Sequence, residues 1–273
     1  MDIETLKRTA RWVRHEVFEM IISAGKGHMG GSFSCVEILL ALYHGGILRV
    51  DPRNLRLEER DRFILSKGHS AEALYAVLAD FGFFPISELA TYGKGGSRLG
   101  GHVDNKIPGI EVSTGSLGHG LGLGVGLALS AKMDRRDYMT VVLLGDGECY
   151  EGSVWEAALF AAHQELSNLV AIIDRNQQIT LNYTEECIRL DPLDEKWRAF
   201  GWDVAVVNGH AFEELFRALE NIRSRRSPRP LVIIASTVKG KGVSFMEGQL
   251  QWHHNIPKGK KLEIARKELL VGE

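Results

Sequence analysis

A Gly-Asp-Gly turn around Asp146 follows the apolar run at 140–144, and Asn176 closely follows the apolar run at 169–173. Both runs read as strands of a parallel sheet. In open parallel sheets, ligands bind outside the carboxyl ends of the strands, and neighbouring strands lie about 4.8 Å apart. We therefore expect Asp146 and Asn176 to converge on one ion if their strands are neighbours.

The chemistry of these two side chains favours a hard metal ion. One carboxylate and one amide oxygen are a poor set for zinc but suit Mg²⁺, which takes its other ligands from a bound diphosphate and from water. Gly145 and Gly147 would let backbone N–H groups approach such a diphosphate. The same residues also suit a tight strand-to-helix turn, because Asp and Gly are ordinary turn residues.

Histidines that directly follow a glycine are a second unusual feature. Five of the ten histidines do so: His28, His69, His102, His119 and His210. Such positions lie in turns, where side chains reach ligands rather than the core. Imidazoles around a site suit proton transfer to and from hydroxyl groups, because their ordinary pKa lies near physiological pH. The exception is His210, which follows Asn208-Gly209 and is consistent with a plain turn or helix entry.

Several function classes lose support from composition and motifs. The sequence contains no G-x-G-x-x-G fingerprint, no P-loop lysine motif and no H-E-x-x-H zinc motif. A net charge of -2, from 33 Lys and Arg against 35 Asp and Glu, lacks the basic surplus that nucleic-acid binding needs. Three widely spaced cysteines predict neither disulfides nor a zinc knuckle, and fit a reducing cytoplasm.

The uncharged run at 112–131 could be mistaken for a membrane span. It holds six glycines, and so exposes too little apolar surface for a span; it favours a helix packed closely against another backbone. We therefore expect no membrane association. The N-terminal segment carries charges of both signs and no signal peptide, which also favours the cytoplasm.

The surrounding elements predict an α/β fold with a doubly wound, mostly parallel sheet and helices on both faces. Apolar runs at 140–144, 169–173, 204–207 and 231–235 alternate with helical patterns, as in βαβ units. A helix is predicted over 2–24. Capping boxes are predicted at Ser34 with Glu37 and at Ser153 with Glu156. The glycine-rich segment between 92 and 120 reads as a long ordered loop.

With these motifs in place, the sequence resembles the N-terminal, thiamine-diphosphate-binding region of transketolases. The resemblance covers most of the chain, which is therefore expected to form a single diphosphate-binding domain over 1–273, with a C-terminal tail from about 240. The matching segments are GHMGGS (27–32), LSKGHS (65–70), GH (101–102), TGSLG (114–118), GDGE (145–148) and Asn176.

The resemblance implies a cofactor, a metal and a set of site residues. Thiamine diphosphate would bind with Mg²⁺ or Ca²⁺, the metal held by Asp146, Asn176 and the carbonyl of Gln178. Four histidines would line the substrate channel and handle protons: His28, His69, His102 and His253. The remaining cofactor contacts would come from Gly115, Ser116, Leu117, Gly145, Gly147 and Glu148, together with His69 and His253. Glu151 is similar to an acidic residue that links paired sites across an interface.

The resemblance also implies the reaction and a partner. The family transfers a two-carbon ketol unit from a ketose phosphate to an aldose phosphate, as in the pentose phosphate pathway. Its second and third domains are absent here, and they supply the group that activates the cofactor and most substrate-phosphate ligands. We therefore expect an N-terminal subunit, inactive alone, that works with a separate C-terminal subunit in an α₂β₂ assembly.

Three departures and three alternatives accompany this interpretation. Met29 stands where many relatives have proline, Arg175 where an acidic residue is common, and His119 where glutamine is frequent. One alternative is a component of a deoxyxylulose-phosphate synthase. A second is the α chain of an oxo-acid dehydrogenase, which the histidine set disfavours. The third is a cofactor-binding partner with no turnover of its own.

Overall fold

The computed structural model describes residues 1–270 and contains a five-stranded sheet among ten α-helices in that range. The strands are β1 (Arg62–Leu65), β2 (Thr140–Gly145), β3 (Leu169–Arg175), β4 (Asp203–Asn208) and β5 (Leu231–Ser236). The helices are α1 (Ile3–Ala24), α2 (Met29–Ser34), α3 (Val36–Tyr43), α4 (Ala71–Phe81), α5 (His119–Met133), α6 (Gly152–His163), α7 (Thr184–Cys187), α8 (Leu193–Ala199), α9 (Phe212–Leu219) and α10 (Lys260–Leu269). The domain prediction runs to residue 273, and its last three residues lie outside the described residues.

The sheet is parallel in every pairing, in the order β1-β2-β3-β5-β4. The strands β2 and β3 are neighbours, with Gly145 opposite Asp174 in the register. Their carboxyl ends therefore open onto the same edge of the sheet, as the sequence predicts for Asp146 and Asn176.

Side chains of each central strand alternate between two apolar layers, because successive strand residues point to opposite faces. In β2, Val141 and Leu143 pack with α1, α3 and α4 on one face, whereas Val142 and Leu144 pack with α5, α6 and α8 on the other. Both faces are covered, so the predicted doubly wound α/β fold is confirmed.

The first helix shows how the sequence sets its own boundaries. The Asp2 side chain accepts a hydrogen bond from Thr5 N–H at 2.9 Å, which caps the first turn of α1. The helix ends at Gly25, whose φ of 66° lies in the left-handed region that favours glycine. Leu6, Val13 and Val17 are buried along one face. The predicted helix over 2–24 is confirmed.

The glycine-rich helix α5 lies tightly against the sheet on one side. A Cβ at Gly124 would lie 2.4 Å from Val142 Cγ2, and one at Gly120 would lie 2.8 Å from Ser66 Cα. By contrast, a Cβ at Gly122 or Gly126 would meet no atom within 4 Å. The segment packs closely against a strand backbone, as the sequence predicts. Within residues 1–270, no helix is both long enough and apolar enough to cross a membrane.

Both predicted capping boxes are wrong. Ser34 Oγ donates to Asp174 Oδ2 at 2.6 Å, while Glu37 pairs with Arg14. Ser153 Oγ donates to the Gly118 carbonyl at 3.0 Å and caps no N–H group of its own helix. In each case a partner distant in sequence holds the side chain that the local pattern assigns to the cap.

The segment after residue 240 packs onto the body of the molecule. Val243, Met246 and Trp252 are buried in the same apolar layer as α1. The helix α10 lies where the sequence predicts a terminal helix, and Arg266 pairs with Glu19 of α1 at 2.8 Å. This packing brings the histidines at 253 and 254 back over the carboxyl ends of the strands.

Candidate active site

A cavity of about 400 Å³ lies at the carboxyl edge of β2 and β3. Asp146, Asn176 and Gln178, the predicted metal ligands, all line it. They reach it because the chain turns sharply after each strand: a short 3₁₀ turn over Gly147–Tyr150 follows β2, and Gln177 adopts a φ of 63° after β3. The cavity is therefore built where an open parallel sheet is expected to bind a ligand.

The Asp146 carboxylate is buried among hydrogen-bond donors. Its Oδ1 accepts from Gly147 N–H at 2.8 Å, and its Oδ2 accepts from Gln177 N–H at 2.5 Å. Arg175 Nη1 lies 3.2 Å from the same Oδ2. Burial raises the pKa of Asp146 to about 6, and the nearby Asp174 charge adds to this, although Arg175 opposes it. The carboxylate is thus a costly buried charge that a cation would stabilise.

The neighbouring Asp174 is a structural anion at the end of β3. It is fully buried and pairs with the buried ammonium group of Lys67, while Ser34 and Thr237 donate to its oxygens. Burial alone would raise the pKa of Asp174, but Lys67 outweighs that effect and the pKa is lowered. The pair ties β3 to the segment after β1.

Lys239 places a second ammonium group beside the cavity. The residue is only 4% exposed, and its Nζ donates to the Gln178 carbonyl at 3.1 Å. Burial lowers the pKa of Lys239 to about 8, and the Lys67 cation adds to this effect, although Asp146 and Asp174 oppose it. Since no carboxylate of the described residues forms an ion pair with it, Lys239 is suited to hold a bound anion.

The segment after β5 that carries Lys239 is fixed by a buried hydrogen-bond chain. Arg14 forms a two-pronged pair with Glu37, with N–O distances of 2.8 and 2.7 Å. His210 Nδ1 lies 2.9 Å from Glu37 Oε2, and His210 Nε2 accepts from Val238 N–H at 2.9 Å. Burial alone would raise the pKa of Glu37, but Arg14 and His210 together lower it to about 2.

Imidazole rings crowd the mouth of the cavity. The ring of His28 lies 5.4 Å from that of His69, 5.8 Å from that of His102 and 5.9 Å from that of His253, between centroids. His254 lies 4.8 Å from His28 and 4.3 Å from His253. Burial lowers the pKa of His28 to about 4 and that of His253 to about 3. These rings are therefore neutral at pH 7 and serve as both donors and acceptors.

Glu148 shapes the cavity wall through the backbone. Its buried carboxylate accepts from Gly118 N–H at 2.8 Å, from Gly145 N–H at 3.1 Å and from Ser66 Oγ. Burial raises its pKa. The side chain fixes the glycine-rich segment before α5 against the turn after β2, so Gly115 and Leu117 line the cavity beside Gly147.

Comparison with known proteins identifies the family. Residues 5–271 match the family described as transketolase, thiamine diphosphate binding domain. The chain belongs to this family. It is 46% identical over 269 residues to one of the subunits of the apulose-4-phosphate transketolase of Phocaeicola vulgatus, covering 98% of this chain and 95% of that one.

Two further relatives show how much of a transketolase this family member spans. It is 44% identical to the 6-deoxy-6-sulfo-D-fructose transketolase subunit SqwG of a Clostridium species, covering 91% of this chain and 90% of that one. The crystal structure of transketolase from Campylobacter jejuni superimposes with a TM-score of 0.91 at 28% identity. That match covers 98% of this chain but 43% of the longer transketolase.

The predicted site residues of this transketolase-family chain fall into two groups. Those that line the cavity are His28, His69, Gly115, Leu117, Gly145, Asp146, Gly147, Glu148, Asn176, Gln178 and His253. His102 lies behind His28 in ring contact, and Ser116 is exposed beside the cavity. Glu151 is also exposed, at the start of α6, next to Gly118.

The residues present fit a divalent metal and a diphosphate. The donors are a carboxylate, an amide oxygen and the Gln178 backbone carbonyl, which are all hard oxygen ligands. Three buried atoms have no hydrogen-bond partner among the described residues: Gln178 Oε1, His28 Nδ1 and His253 Nδ1. A Cβ at Gly147 would lie 2.3 Å from Ile179 Cγ2, so only glycine leaves this part of the wall in place.

Sequence reasoning missed the two lysines and His254. Lys67 and Lys239 each follow a buried strand, at the edge where ligands bind, and a positive charge at such a position is the signal that could have found them. His254 is adjacent to a predicted site residue. The role of His210 was also missed, because its partner Glu37 lies 173 residues away in sequence.

Proposed function

We propose that this chain is the cofactor-binding subunit of a two-chain transketolase. It transfers a two-carbon ketol unit from a ketose phosphate to an aldose phosphate, using thiamine diphosphate and a divalent metal, Mg²⁺ or Ca²⁺. The observation that carries the proposal is the cavity itself, where oxygen ligands, a buried unpaired ammonium group and neutral imidazoles meet. The relatives that are themselves named as transketolase subunits match it nearly end to end, which supports a partner chain.

In this proposal the floor of the cavity holds the metal and the diphosphate. Asp146, Asn176 and the Gln178 carbonyl are the metal ligands. Lys239 supplies the positive charge for the diphosphate, and the backbone around Gly147 supplies N–H donors. Binding of an anion would restore the favourable ionisation of Lys239, which burial and Lys67 now oppose.

The imidazoles at the mouth orient the sugar and move protons. Thiamine diphosphate, when bound, supplies the carbanion chemistry that breaks the carbon–carbon bond next to a ketose carbonyl. Neutral His28, His69 and His253 offer one donor and one acceptor nitrogen each, which matches the hydroxyl groups of a sugar. A neutral imidazole accepts a proton from a hydroxyl group and returns it without a change of side chain, and His102 supports His28 from behind.

Exposed apolar side chains are in the right places for partner subunits. At the cavity rim, Leu181 is 84% exposed and Ile188 is 63% exposed. On the α5–α6 face, Leu123 and Phe160 are also exposed, beside the open glycines of α5. We assign the rim to the C-terminal subunit, and the α5–α6 face, next to Glu151, to a second copy in an α₂β₂ assembly.

Reconstitution tests the function. The chain is mixed with its candidate partner, thiamine diphosphate and Mg²⁺, and ketol transfer is followed for xylulose 5-phosphate, apulose 4-phosphate and 6-deoxy-6-sulfofructose with aldose phosphate acceptors. We expect transfer only when both chains are present, and none with Asp146→Asn. Turnover of pyruvate instead would favour a deoxyxylulose-phosphate synthase or an oxo-acid dehydrogenase. Turnover by this chain alone would contradict the split site, and no turnover with the partner would favour the non-catalytic alternative.

A further inference from the structure

Three imidazoles at the cavity mouth lie close enough to share one metal ion. One ring nitrogen from each of His28, His253 and His254 lies within 4.8 Å of the other two. Tetrahedral zinc with histidine nitrogens at about 2.0–2.1 Å places those nitrogens about 3.3 Å apart. Side-chain rotations that move the rings by about 1–2 Å would therefore complete the site. The exposed His254, whose ring has no hydrogen-bond partner in the part of the chain that the structure describes, is free to make most of this movement.

The hydrogen bonding of these rings leaves lone pairs available. His253 Nε2 lies 3.1 Å from Thr180 Oγ1, whereas His253 Nδ1 is buried without a partner among the described residues. His28 Nδ1 is in the same situation. Histidines that bind a metal commonly use their other ring nitrogen to donate to a neighbouring acceptor, which fixes the tautomer. Thr180 is placed to act as that acceptor for His253.

We propose that His28, His253 and His254 form a binding site for a borderline divalent ion of the Zn²⁺ class, with its fourth position open to solvent. The ligand chemistry differs from that of Asp146, Asn176 and the Gln178 carbonyl, which offer only oxygen. Imidazole ligands favour zinc, whereas oxygen ligands favour magnesium. The two sites would therefore separate the two ions even at a large excess of Mg²⁺.

The consequence of zinc binding depends on the function proposed above, but the binding itself does not. An ion held by three imidazoles would occupy the mouth through which a sugar must enter, and would occupy the lone pairs of His28 and His253. We expect zinc to inhibit ketol transfer competitively against the donor ketose. The neighbouring Lys67 and Lys239 cations oppose a second cation, so the site should be strongest when a diphosphate neutralises them.

The test measures zinc binding to the full chain in saturating Mg²⁺ and thiamine diphosphate. Isothermal titration gives affinity and stoichiometry, and the visible absorption of bound Co²⁺ reports tetrahedral nitrogen ligation independently of activity. We expect one zinc site whose affinity falls at least tenfold in His254→Asn and is unchanged in His163→Asn, an exposed histidine on α6. His254 is exposed, so folding should survive its substitution, and circular dichroism checks this.

Two results would overturn the proposal. Equal zinc affinity in the parent chain and in His254→Asn would show that the imidazole cluster does not hold the ion. Loss of zinc binding in Asp146→Asn, with binding retained in His254→Asn, would place the ion at the oxygen ligands instead. Both results concern binding alone, so they are separate from any failure of the ketol-transfer assay.

Discussion

Arg175 Nη1 lies 3.2 Å from Asp146 Oδ2, so a guanidinium group contacts the carboxylate that we assign to the metal. Arg175 is one of the three departures from the family pattern, and it also pairs with Glu185 and Asp191 outside the cavity. Its charge keeps Asp146 ionised, but it also repels a divalent cation at close range. Substitution of Arg175 separates these two effects.

We predict that Arg175→Gln raises the affinity for Mg²⁺ about tenfold, because removal of one positive charge a few ångströms from the ion is worth about 1–3 kcal/mol in a partly screened site. Calorimetry in the presence of thiamine diphosphate measures the change. Arg175→Lys keeps the charge and is the matched control, with an affinity close to that of the parent. Weaker binding in Arg175→Gln would mean that the ion pair organises the site more than it competes with the metal.

Lys239→Met should trade cofactor affinity for stability. The lowering of its pKa from 10.5 to about 8 corresponds to about 3 kcal/mol of unfavourable burial, which the apolar side chain would relieve in the cofactor-free chain. We expect urea denaturation to give a larger free energy of unfolding, and thiamine diphosphate affinity to fall at least tenfold. Lys241→Met, which removes a more exposed lysine paired with Glu247, should change neither quantity by as much.

Glu37→Gln should destabilise the chain in a pH-dependent way. Glu37 has a pKa of about 2 in the folded chain, against an ordinary value of 4.5, so its ionised form stabilises the fold above pH 4.5. That contribution, about 3 kcal/mol, is lost as pH falls through the window from 4.5 to 2. The difference in unfolding free energy between the parent and Glu37→Gln should therefore be large at pH 7 and much smaller at pH 3. An equal difference at both pH values would contradict the ion pair, and the exposed Glu4→Gln provides the control.

The outer glycines of α5 lead to a prediction about assembly. A methyl group at Gly122 would meet no atom of this chain, and alanine is favoured over glycine in a helix by about 1 kcal/mol. Gly122→Ala should therefore stabilise the isolated chain by about that amount. If a second copy packs on this face, the same change should weaken dimerisation, as measured by analytical ultracentrifugation. Gly124→Ala is the contrasting variant, since its methyl group would clash with Val142 and destabilise the chain itself.

The sequence predicted the strands and the convergence of Asp146 and Asn176 because both follow from local patterns. Apolar runs mark buried strands, and parallel strands bring their carboxyl ends to one edge. The pairing of Lys67 with Asp174 spans 107 residues, and no local pattern encodes it. Ser34 shows the same limit: it fits a capping box locally, but its hydroxyl group bonds to a carboxylate 140 residues away.

The cavity draws its lining from seven stretches of chain, which run from His28 near one end to His254 near the other. No fragment carries more than a few of these residues, so the unfolded chain has no partial version of the site. Cofactor binding and folding are therefore linked equilibria: each tenfold excess of free cofactor over its dissociation constant adds about 1.4 kcal/mol to the stability of the native state. The thermal midpoint of the chain is thus a direct readout of thiamine diphosphate occupancy, before any partner or sugar is added.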